Sequence, residues 1–380
     1  MNFESNIIVY VDAIERYRFF SRLVPRKKIY FVTHLFSVYI LCLKSGVDCF
    51  LIKNNYSNKG INREFDTLDD ITVGPEFSTV IYDSIYNCLD EFLCENKFKS
   101  AYVWNGMRVF QRAFSDICKL HEIPTKFFEI TNLPGKIQVN ERGVNAQSSF
   151  RNLIKNDDII YDELKWKIWL DNFFETSRNK KVGQVSILKR VNFWYFADRL
   201  GSLLFNTLSV EHESIIQKLI KKWKFKLYNY DIDTYSEEYI FFPLQVSTDS
   251  QILINYDGDL ISALYRVSQM AKQEGLILVI KPHPAESDTD KIEEILALKS
   301  ELNFFVDSSN TIDLILNSRK VVTINSTVGL ESLLLGKETV FLGRSVYQGI
   351  SEKELAKLIL DVFIDVDYFS DDAISNDIFE

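Results

Sequence analysis

Short apolar runs alternate with longer amphipathic stretches in the first 150 residues. Segments that are mainly aliphatic or aromatic predict buried strands at Ile7–Val11, Lys28–Val32, Val47–Ile52, Ser100–Trp104 and Thr125–Ile130. The intervening stretches with helical spacing are Leu35–Leu43, Ser78–Cys94 and Arg108–His121. Strands that alternate with helices in this way predict a largely parallel sheet covered by helices on both faces.

The same alternation returns after residue 235. Strands are predicted at Glu238–Phe242, Leu276–Ile280, Asn303–Val306, Lys320–Ile324 and Thr339–Leu342. Helices are predicted at about Asp259–Gln273, Asp290–Leu298, Thr311–Ser318 and Val328–Leu335. The residues in between, 151–235, have long helical stretches and few glycines.

These patterns predict four regions. Residues 1–150 form an N-terminal α/β domain, and 151–235 form a basic helical subdomain or connector. Residues 236–345 form a second α/β domain, and 346–380 form a C-terminal helix or tail, with a closing helix expected from Asp361 to Glu380. A chain of 380 residues exceeds the usual size of a single core. We therefore predict an α/β protein of the GT-B-like class, with two doubly wound Rossmann-type domains that face a cleft.

Composition narrows the class of protein. A net charge of −9 argues against a general nucleic-acid binder, which is usually basic. No apolar stretch reaches the length of about 18 residues that predicts a transmembrane helix, and the polar start Met1–Asn6 does not resemble a signal peptide. The five cysteines show no CxxC pairing, which favours reduced core thiols in a cytoplasmic protein.

Positive charge is concentrated in one region. Residues 151–230 hold 15 Lys and Arg against 9 Asp and Glu. Two runs within this region, Lys165–Trp169 and Lys221–Lys226, interleave lysines with aromatic residues, which suits the interface of an anionic membrane. The alternative is a solvated helix face whose tryptophans pack inward. On the first interpretation the protein binds the inner membrane peripherally.

The run Lys281-Pro282-His283-Pro284 directly follows a predicted strand. Two prolines end strand pairing and fix the backbone. Lys281 and His283 would therefore stand at the carboxyl end of the strand, where open α/β sheets bind their ligands. A cation beside a titratable imidazole suits an anionic leaving group. The structural alternative is a proline-rich turn whose histidine bonds to a backbone carbonyl.

A second strand end leads into the run Pro243–Gln251. Asp249 in this run could act as a general base toward an acceptor hydroxyl. It could equally cap the helix that follows, a position that Asp and Ser both suit. The residues alone leave both interpretations open.

A third strand end carries Asn325-Ser326-Thr327, where a helix begins. Free backbone N–H groups and the helix dipole make such a helix start an anion site, to which the two hydroxyls add donors. Glu331 lies one helical turn further on and could accept hydrogen bonds from ribose hydroxyls. The structural alternative is an ordinary Ser/Thr helix cap.

Three DxD triplets have the spacing that metal-dependent transferases use, at Asp231–Asp233, Asp257–Asp259 and Asp365–Asp367. Such triplets arise by chance in an acidic chain, and none follows a clear buried strand. We therefore expect no metal site. The remaining histidines, His34, His121 and His212, form no ligand pattern and are expected to be structural.

The second α/β domain resembles the bacterial capsule polysaccharide biosynthesis and export family. The resemblance rests on Pro243-Leu244-Gln245 with Asp249-Ser250-Gln251, on Lys281–Pro284 and on Asn325–Glu331. Upstream, Trp104–Arg108 and the stretch from Phe128-Glu129 through Leu133-Pro134-Gly135 to Gly143-Val144-Asn145 are similar to the family's N-terminal signature. The residues after the His-Pro pair, Ala285-Glu286, differ from the Leu-Asp that the resemblance predicts.

The resemblance implies a retaining β-Kdo transferase with a CMP-Kdo donor, no metal and no other cofactor. Combined with the strand-end pattern, it makes Asp249 and His283 the expected catalytic residues. The residues expected to bind the donor are Gln245, Lys281, Asn325, Ser326, Thr327 and Glu331. The acceptor-side candidates are Asn105, Arg108, Glu129 and Asn145.

We therefore expect a glycosyltransferase of capsular polysaccharide biosynthesis that transfers Kdo to a phosphatidylglycerol-type lipid or a glycolipid. Its expected partners are a CMP-linked sugar, the acceptor, the anionic inner-membrane surface and the capsule export machinery, but no nucleic acid. One alternative keeps the nucleotide site and transfers a sialic or other nonulosonic acid, or a polyol phosphate from a CDP donor. A second alternative is a non-catalytic GT-B scaffold of a capsule export complex.

Overall fold

The computed structural model describes residues 7–26, 29–56, 67–72, 74–131, 133–155, 160–179, 193–208, 232–247, 249–284, 286 and 288–379. The chain forms two compact units. The first unit comprises Met1–Lys155, Val185–His212 and Leu358–Glu380, and the second comprises Asn156–Gln184 and Glu213–Lys357.

In chain order, the described strands are β1 (Ile7–Tyr10), β2 (Leu23–Val24), β3 (Ile29–Thr33), β4 (Cys49–Leu51), β5 (Ser100–Trp104), β6 (Thr125–Ile130), β7 (Lys136–Asn140), β8 (Tyr239–Pro243), β9 (Ile277–Lys281), β10 (Phe304–Val306), β11 (Lys320–Thr323), β12 (Thr339–Phe341), β13 (Ile364–Asp365) and β14 (Ile374–Ser375).

The described α-helices are α1 (Ile14–Phe20), α2 (Phe36–Ser45), α3 (Leu68–Thr72), α4 (Pro75–Glu95), α5 (Val109–Leu120), α6 (Phe150–Ile154), α7 (Glu163–Asn179), α8 (Phe193–Phe205), α9 (Ser250–Asn255), α10 (Leu260–Glu274), α11 (Thr289–Ala297), α12 (Lys299–Leu302), α13 (Thr311–Asn317), α14 (Thr327–Leu334) and α15 (Glu352–Lys357).

The first unit is built on a sheet with strand order β13-β7-β6-β5-β1-β3-β4. The central strands are parallel, whereas β7 runs antiparallel to β6 and β13 antiparallel to β7. Alternate residues of β1 enter opposite cores: Ile8 and Tyr10 pack with residues of α4 and α5, and Ile7 and Val9 with residues of α1 and α2. Because both faces are covered, the strands read as continuous apolar runs.

The C-terminal residues complete the first unit, and the expected closing helix from Asp361 to Glu380 is wrong. After α15 and a short π-helix, the chain forms β13, which pairs with β7, and β14, which pairs with β2. Arg22 holds this segment because its guanidinium donates to the backbone carbonyls of Asp367 (2.8 Å) and Asp372 (2.6 Å). Strand pairing across such a sequence separation leaves no local periodicity to detect.

The second unit contains a fully parallel sheet of order β10-β9-β8-β11-β12. Helices cover both faces: one core includes residues of α9, α10 and α11, and the opposite core includes residues of α13. The prediction of two doubly wound Rossmann-type domains, the building blocks of a GT-B-like fold, is confirmed. The cleft between them and the residue boundaries of the four predicted regions stay predictions.

The basic region is described only in part, and Lys221–Lys226 lie outside the described residues. In α7, Trp166 is buried and stacks on Trp169 with ring centroids 5.5 Å apart, and its indole N–H donates to Glu352 Oε1 (3.2 Å). The inward-packed interpretation therefore holds for Trp166. Among the described helices, none combines the length and apolar character that crossing a membrane requires.

Candidate functional site

Three strands of the second unit end at one edge of the sheet. Strand β8 lies between β9 and β11, and all three run parallel. Pro243 at the end of β8 lies beside Lys281 at the end of β9. The loops that carry the predicted site residues therefore emerge side by side, at the edge where open parallel sheets bind ligands.

Gln245 and Asn325 join the loops after β8 and β11. The Gln245 side-chain N–H donates to Asn325 Oδ1 (3.0 Å), and the Asn325 backbone N–H donates to Gln245 Oε1 (3.1 Å). Asn325 Nδ2 also donates to the backbone carbonyl of Gln251 (2.7 Å). Gln245 is buried, so these bonds satisfy its amide and fix the start of α14 relative to β8. The pair positions the site rather than presenting free amides to a ligand.

Asp249 is the N-cap of α9, where its Oδ1 accepts a hydrogen bond from the Gln251 backbone N–H (2.9 Å). The structure therefore shows the capping role that the sequence left open. The negative charge of Asp249 also acts on the His283 imidazole, where it favours the protonated form. A carboxylate that caps with one oxygen can still receive a proton from substrate at the other, so capping and catalysis are compatible.

His283 is half-buried, and this burial lowers the pKa of its imidazole. The negative charges of Asp249 and Glu286 oppose that shift but do not cancel it. The neutral imidazole therefore predominates at neutral pH in the free protein. A phosphate group beside it would favour the protonated form, because an opposite charge stabilises the imidazolium.

Lys281 has two roles: it makes hydrogen bonds to neighbouring residues, and it carries a positive charge at the end of β9. Its ammonium donates to the Ser309 carbonyl (2.5 Å) and to Thr311 Oγ1 (2.9 Å), which ties β9 to the loop after β10. Burial lowers the pKa of Lys281, while the charges of Asp307 and Glu331 oppose the shift. Lys281 and Glu331 are therefore close enough to interact, which links the loop after β9 to α14.

The start of α14 is capped by Ser326. Its Oγ accepts from the Val328 backbone N–H (3.2 Å), and its own backbone N–H donates to Thr323 Oγ1 (3.2 Å). Thr327 is the first residue of the helix, and both residues are partly exposed. An eight-residue helix whose first turn opens at the ligand-binding edge of a parallel sheet is suited to a phosphate.

Gly329 allows α14 to approach the sheet. A Cβ atom at this position would lie 2.5 Å from Phe341 Cε1 and 2.9 Å from Thr323 Cγ2. Replacing Gly329 by alanine is therefore expected to push the helix outward and to lower the free energy of unfolding by about 1–3 kcal/mol. Chemical denaturation of the purified variant measures this change.

Phe341→Leu provides the companion variant, because it shortens the ring that a Cβ at residue 329 would meet. Combined with Gly329→Ala, it should recover part of the lost stability. Simple addition of the two single effects would contradict the steric explanation.

Glu286 is a site residue that the sequence analysis missed. Its carboxylate is buried and accepts from the backbone N–H groups of Ser247 (2.7 Å) and Asp288 (3.0 Å). It thereby clamps the loop after β8 to the loop after β9 and places a negative charge near His283. No signal in the sequence indicated this role, because it depends on the burial of Glu286 and on its backbone partners.

A small cavity adjoins these loops, with Gln245, His283 and Glu286 among its lining residues. Its volume of about 10 Å³ suffices for a single water molecule.

The acceptor-side candidates lie in the first unit, where two of them meet. Asn105 adopts a left-handed backbone (φ 62°) directly after β5, and its side-chain N–H donates to Glu129 Oε2. Glu129 also accepts from the Trp104 indole N–H (3.2 Å). Burial raises the pKa of Glu129, although these hydrogen bonds oppose the shift.

Asn145 and Arg108 have other partners. The Gln138 side-chain N–H donates to Asn145 Oδ1 (2.8 Å), and the Asn145 backbone N–H donates to Gln138 Oε1 (3.0 Å). Gln138 on β7 lies directly opposite Glu129 on β6. Arg108 binds the buried Asp69 through Nε (2.9 Å) and Nη2 (2.7 Å). Asn145 is thus linked to the Asn105–Glu129 pair through Gln138, whereas Arg108 anchors a different segment.

The same edge of the first sheet holds polar residues that the sequence analysis did not select. Asp12 follows β1 and accepts from Gln111 Nε2 (2.8 Å), and Gln111 Oε1 in turn accepts from the Gly106 N–H (3.0 Å). His34 follows β3 and is bonded to the Tyr10 hydroxyl (2.8 Å), while burial lowers the pKa of His34 to about 4. The sequence could have indicated Asp12 and His34, because each is a polar residue that follows a buried strand.

The described aspartates of the DxD triplets have structural partners. Asp233 accepts from the Val306 N–H and pairs with Lys299, and Asp259 caps α10. The remaining ones bind as follows: Asp257 to Arg344, Asp365 to Lys136, and Asp367 to the Phe369 N–H. Asp231 and His212 lie outside the described residues.

Residues 204–356 match the family model described as "Capsule polysaccharide biosynthesis protein". Protein FixF of Sinorhizobium fredii (strain NBRC 101917 / NGR234) is 37% identical over 114 residues, which are 29% of this chain and 27% of FixF. The match thus spans only about a quarter of that relative.

The solved structures to which this chain is similar include two of Thermosulfurimonas dismutans KpsC. The beta Kdo 2,7 transferase is 14% identical, with 99% of this chain and 98% of that chain covered and a TM-score of 0.48. The beta Kdo 2,4 transferase is also 14% identical, with 70% of this chain and 84% of that chain covered and a TM-score of 0.41. UDP-GlcNAc 2-epimerase from Neisseria meningitidis is 12% identical, with coverage of 93% and 85% and a TM-score of 0.25.

Proposed function

We propose that this chain, whose residues 204–356 match the model of the capsule polysaccharide biosynthesis family, is a glycosyltransferase that moves Kdo from CMP-Kdo to a lipid or glycolipid acceptor. The observation that carries the proposal is the meeting of three strand-end loops in the second unit. Glu286 ties the loop of His283 to the loop of Asp249, and the Gln245–Asn325 pair ties the loop of Asp249 to the start of α14.

The donor phosphate would bind at the start of α14. The Thr327 backbone N–H and the hydroxyls of Ser326 and Thr327 would be the donors, and the helix dipole would favour the negative charge. His283 would face the same phosphate from the loop after β9. Glu331 would accept from the ribose hydroxyls, and Lys281 would add positive charge beside it.

In the transfer step, the bond between the anomeric carbon of Kdo and the CMP phosphate oxygen would break, the phosphate would leave with the electron pair, and the acceptor oxygen would form the new bond to that carbon. The Thr327 N–H group and the imidazolium of His283 stabilise the charge that develops on the phosphate. Asp249 supplies the catalytic carboxylate and receives the proton of the acceptor hydroxyl. The choice of CMP rests on the similarity of Lys281–Pro284 and Asn325–Glu331 to the runs of β-Kdo and CMP-sialic-acid transferases. No metal ion or other cofactor enters this scheme.

The acceptor would bind in the first unit, with the Asn105–Glu129 pair as the central contact. A partly buried carboxylate held by two side-chain donors is rigid enough to orient a sugar or glycerol hydroxyl. The excess of lysine and arginine in residues 151–230 suits attachment to the anionic inner membrane, where such an acceptor and the capsule export machinery reside.

Purified protein incubated with CMP-Kdo and a short-chain phosphatidylglycerol is expected to release CMP.

Thermal-shift measurements with CMP, CDP and UDP nucleotides test the alternative functions. CMP at about 100 times its dissociation constant should add roughly 2.7 kcal/mol of stability. Stronger stabilisation by CDP would favour the transfer of a polyol phosphate. Turnover of CMP-sialic acid would identify a nonulosonic acid, rather than Kdo, as the transferred sugar. No stabilisation by any of the nucleotides would favour the non-catalytic GT-B scaffold.

Binding of CMP is expected to take up protons through His283. Burial lowers the pKa of His283 in the free protein, and the bound phosphate raises it again. Between these two pKa values the complex holds a proton that the free protein lacks, so affinity falls as the pH rises through this window. Calorimetry in buffers of different ionisation enthalpy measures the uptake.

His283→Gln is the comparison, because the phosphate group of CMP also titrates, with a pKa near about 6. Proton uptake should be smaller in the variant than in the wild type at the same pH. Equal uptake by both proteins would show that His283 does not face the phosphate.

A further inference from the structure

Three side chains of the first unit that offer different metal-ligand atoms lie together on α4 and at the end of α5. Asp90 and Cys94 are one turn apart on α4, so they share a face. His121 directly follows α5, and its Nε2 lies 2.8 Å from Asp90 Oδ1. The three potential ligand atoms all lie within 4.8 Å of one another. We propose that Asp90, Cys94 and His121 bind one transition-metal ion of the zinc class.

The chemistry of the donors matches this class of ion. Zinc takes thiolate, imidazole and carboxylate ligands at about 2.0–2.3 Å, and sites with three protein ligands keep a fourth position for water. Tetrahedral bonds of that length place neighbouring ligand atoms about 3.3–3.8 Å apart. Cys94 must therefore approach the other two atoms by a small rotation, and the Asp90–His121 contact must open slightly.

The surroundings permit this adjustment. Cys94 is exposed and Asp90 is partly exposed, so both side chains can rotate. His121 is held more firmly, because its side chain is largely buried and its backbone N–H bonds to the Ile117 carbonyl (3.1 Å). The imidazole of His121 therefore has a fixed position, and the side chains of Asp90 and Cys94 can rotate to complete a tetrahedral arrangement around the ion.

An ion pair between Asp90 and His121 alone does not account for Cys94. Cysteine is among the residues most often buried, and Cys42 and Cys118 of this chain follow that rule, whereas Cys94 is exposed. An exposed thiol beside an imidazole and a carboxylate is explained by metal binding.

The site lies at the opposite end of the strands from Asn105, the proposed acceptor contact. His121 precedes β6, whose first residue, Thr125, pairs beside Ala101 near the start of β5. The trio is therefore at the amino end of these parallel strands, whereas Asn105 follows their carboxyl end. A metal here would cross-link α4 to α5, and its effect would be on the stability of the first unit.

Titration of the tag-free, reduced, full-length protein with Co²⁺ tests the site, followed by displacement with Zn²⁺. The expected result is one equivalent of Co²⁺ bound with visible d–d bands and a near-ultraviolet thiolate charge-transfer band. Cys94→Ser should abolish the charge-transfer band and weaken binding by at least about 10–100-fold. Zn²⁺ should raise the melting temperature of the wild type but not of Cys94→Ser.

Cys88→Ser is the matched control, since Cys88 lies on the same helix outside the trio, and it should leave the bands unchanged. His121→Gln, which keeps a polar side chain of similar size, should also weaken binding if it folds. Lack of a one-equivalent Co²⁺ complex in the wild type, or equal binding by the wild type and Cys94→Ser, overturns the proposal. Neither result depends on glycosyltransferase activity.

Discussion

Replacing Asp249 by asparagine is expected to lower the rate of sugar transfer by roughly 10²–10⁴-fold. Asparagine caps a helix about as well as aspartate, so it should preserve the hydrogen bond that Asp249 makes to the Gln251 N–H. It cannot accept the proton of the acceptor hydroxyl. The variant thus separates the two roles that one side chain combines, and steady-state release of CMP from CMP-Kdo measures the loss.

The control is Asp259→Asn, because Asp259 caps α10 in the same unit through the Ser262 N–H (2.7 Å). That change should leave the rate within about twofold of the wild type. Asp249→Asn should also bind CMP with nearly unchanged affinity. Wild-type activity in Asp249→Asn would reduce Asp249 to a helix cap and remove it from the catalytic residues.

Replacing Asn325 by alanine is expected to have the largest effect on stability, lowering the free energy of unfolding by about 2–4 kcal/mol. The change removes two side-chain hydrogen bonds, to Gln245 and to the Gln251 carbonyl. It leaves the Gln245 amide buried without that partner, which is more costly than losing an exposed bond. Denaturant unfolding measures the stability of the variant.

CMP binding should weaken as well, by at least roughly tenfold, because Asn325 directly precedes the Ser326 cap and sets its position. Gln273→Ala removes an exposed amide from α10 in the same unit and should change neither quantity by much. Normal stability in Asn325→Ala would contradict the central role of the amide pair. Lower stability with unchanged CMP affinity would separate this pair from the nucleotide site.

The five strands of the second sheet and the parallel strands β1, β3, β4, β5 and β6 of the first could be predicted because they are short and apolar, whereas β7 and β13 of the first sheet were not predicted. Leu276–Ile280 is observed as Ile277–Lys281, and Glu238–Phe242 as Tyr239–Pro243. Since parallel strands end at one edge, residues as far apart as Gln245 and Asn325 could be expected to meet. The order of the strands could not be predicted, because periodicity along one segment does not specify its neighbour.

Other features depend on contacts that no local pattern encodes. The pairing of β14 with β2 joins the two ends of the chain, and β7 runs antiparallel in an otherwise parallel sheet. Asp249 fitted two interpretations because a capping aspartate and a catalytic one have the same sequence pattern. Glu286 was overlooked because only its burial, not its residue type, identifies it as the clamp between two loops.

The central claim is that a carboxylate, an imidazole and a helix start, distant in sequence, surround one cytidine nucleotide. A crystal structure of the protein soaked with CMP tests it most directly. We expect the phosphate within hydrogen-bond distance of the Thr327 N–H group, the Ser326 hydroxyl and the His283 imidazole, with the ribose beside Glu331. A nucleotide bound at any other place, with these three loops empty, would contradict the account.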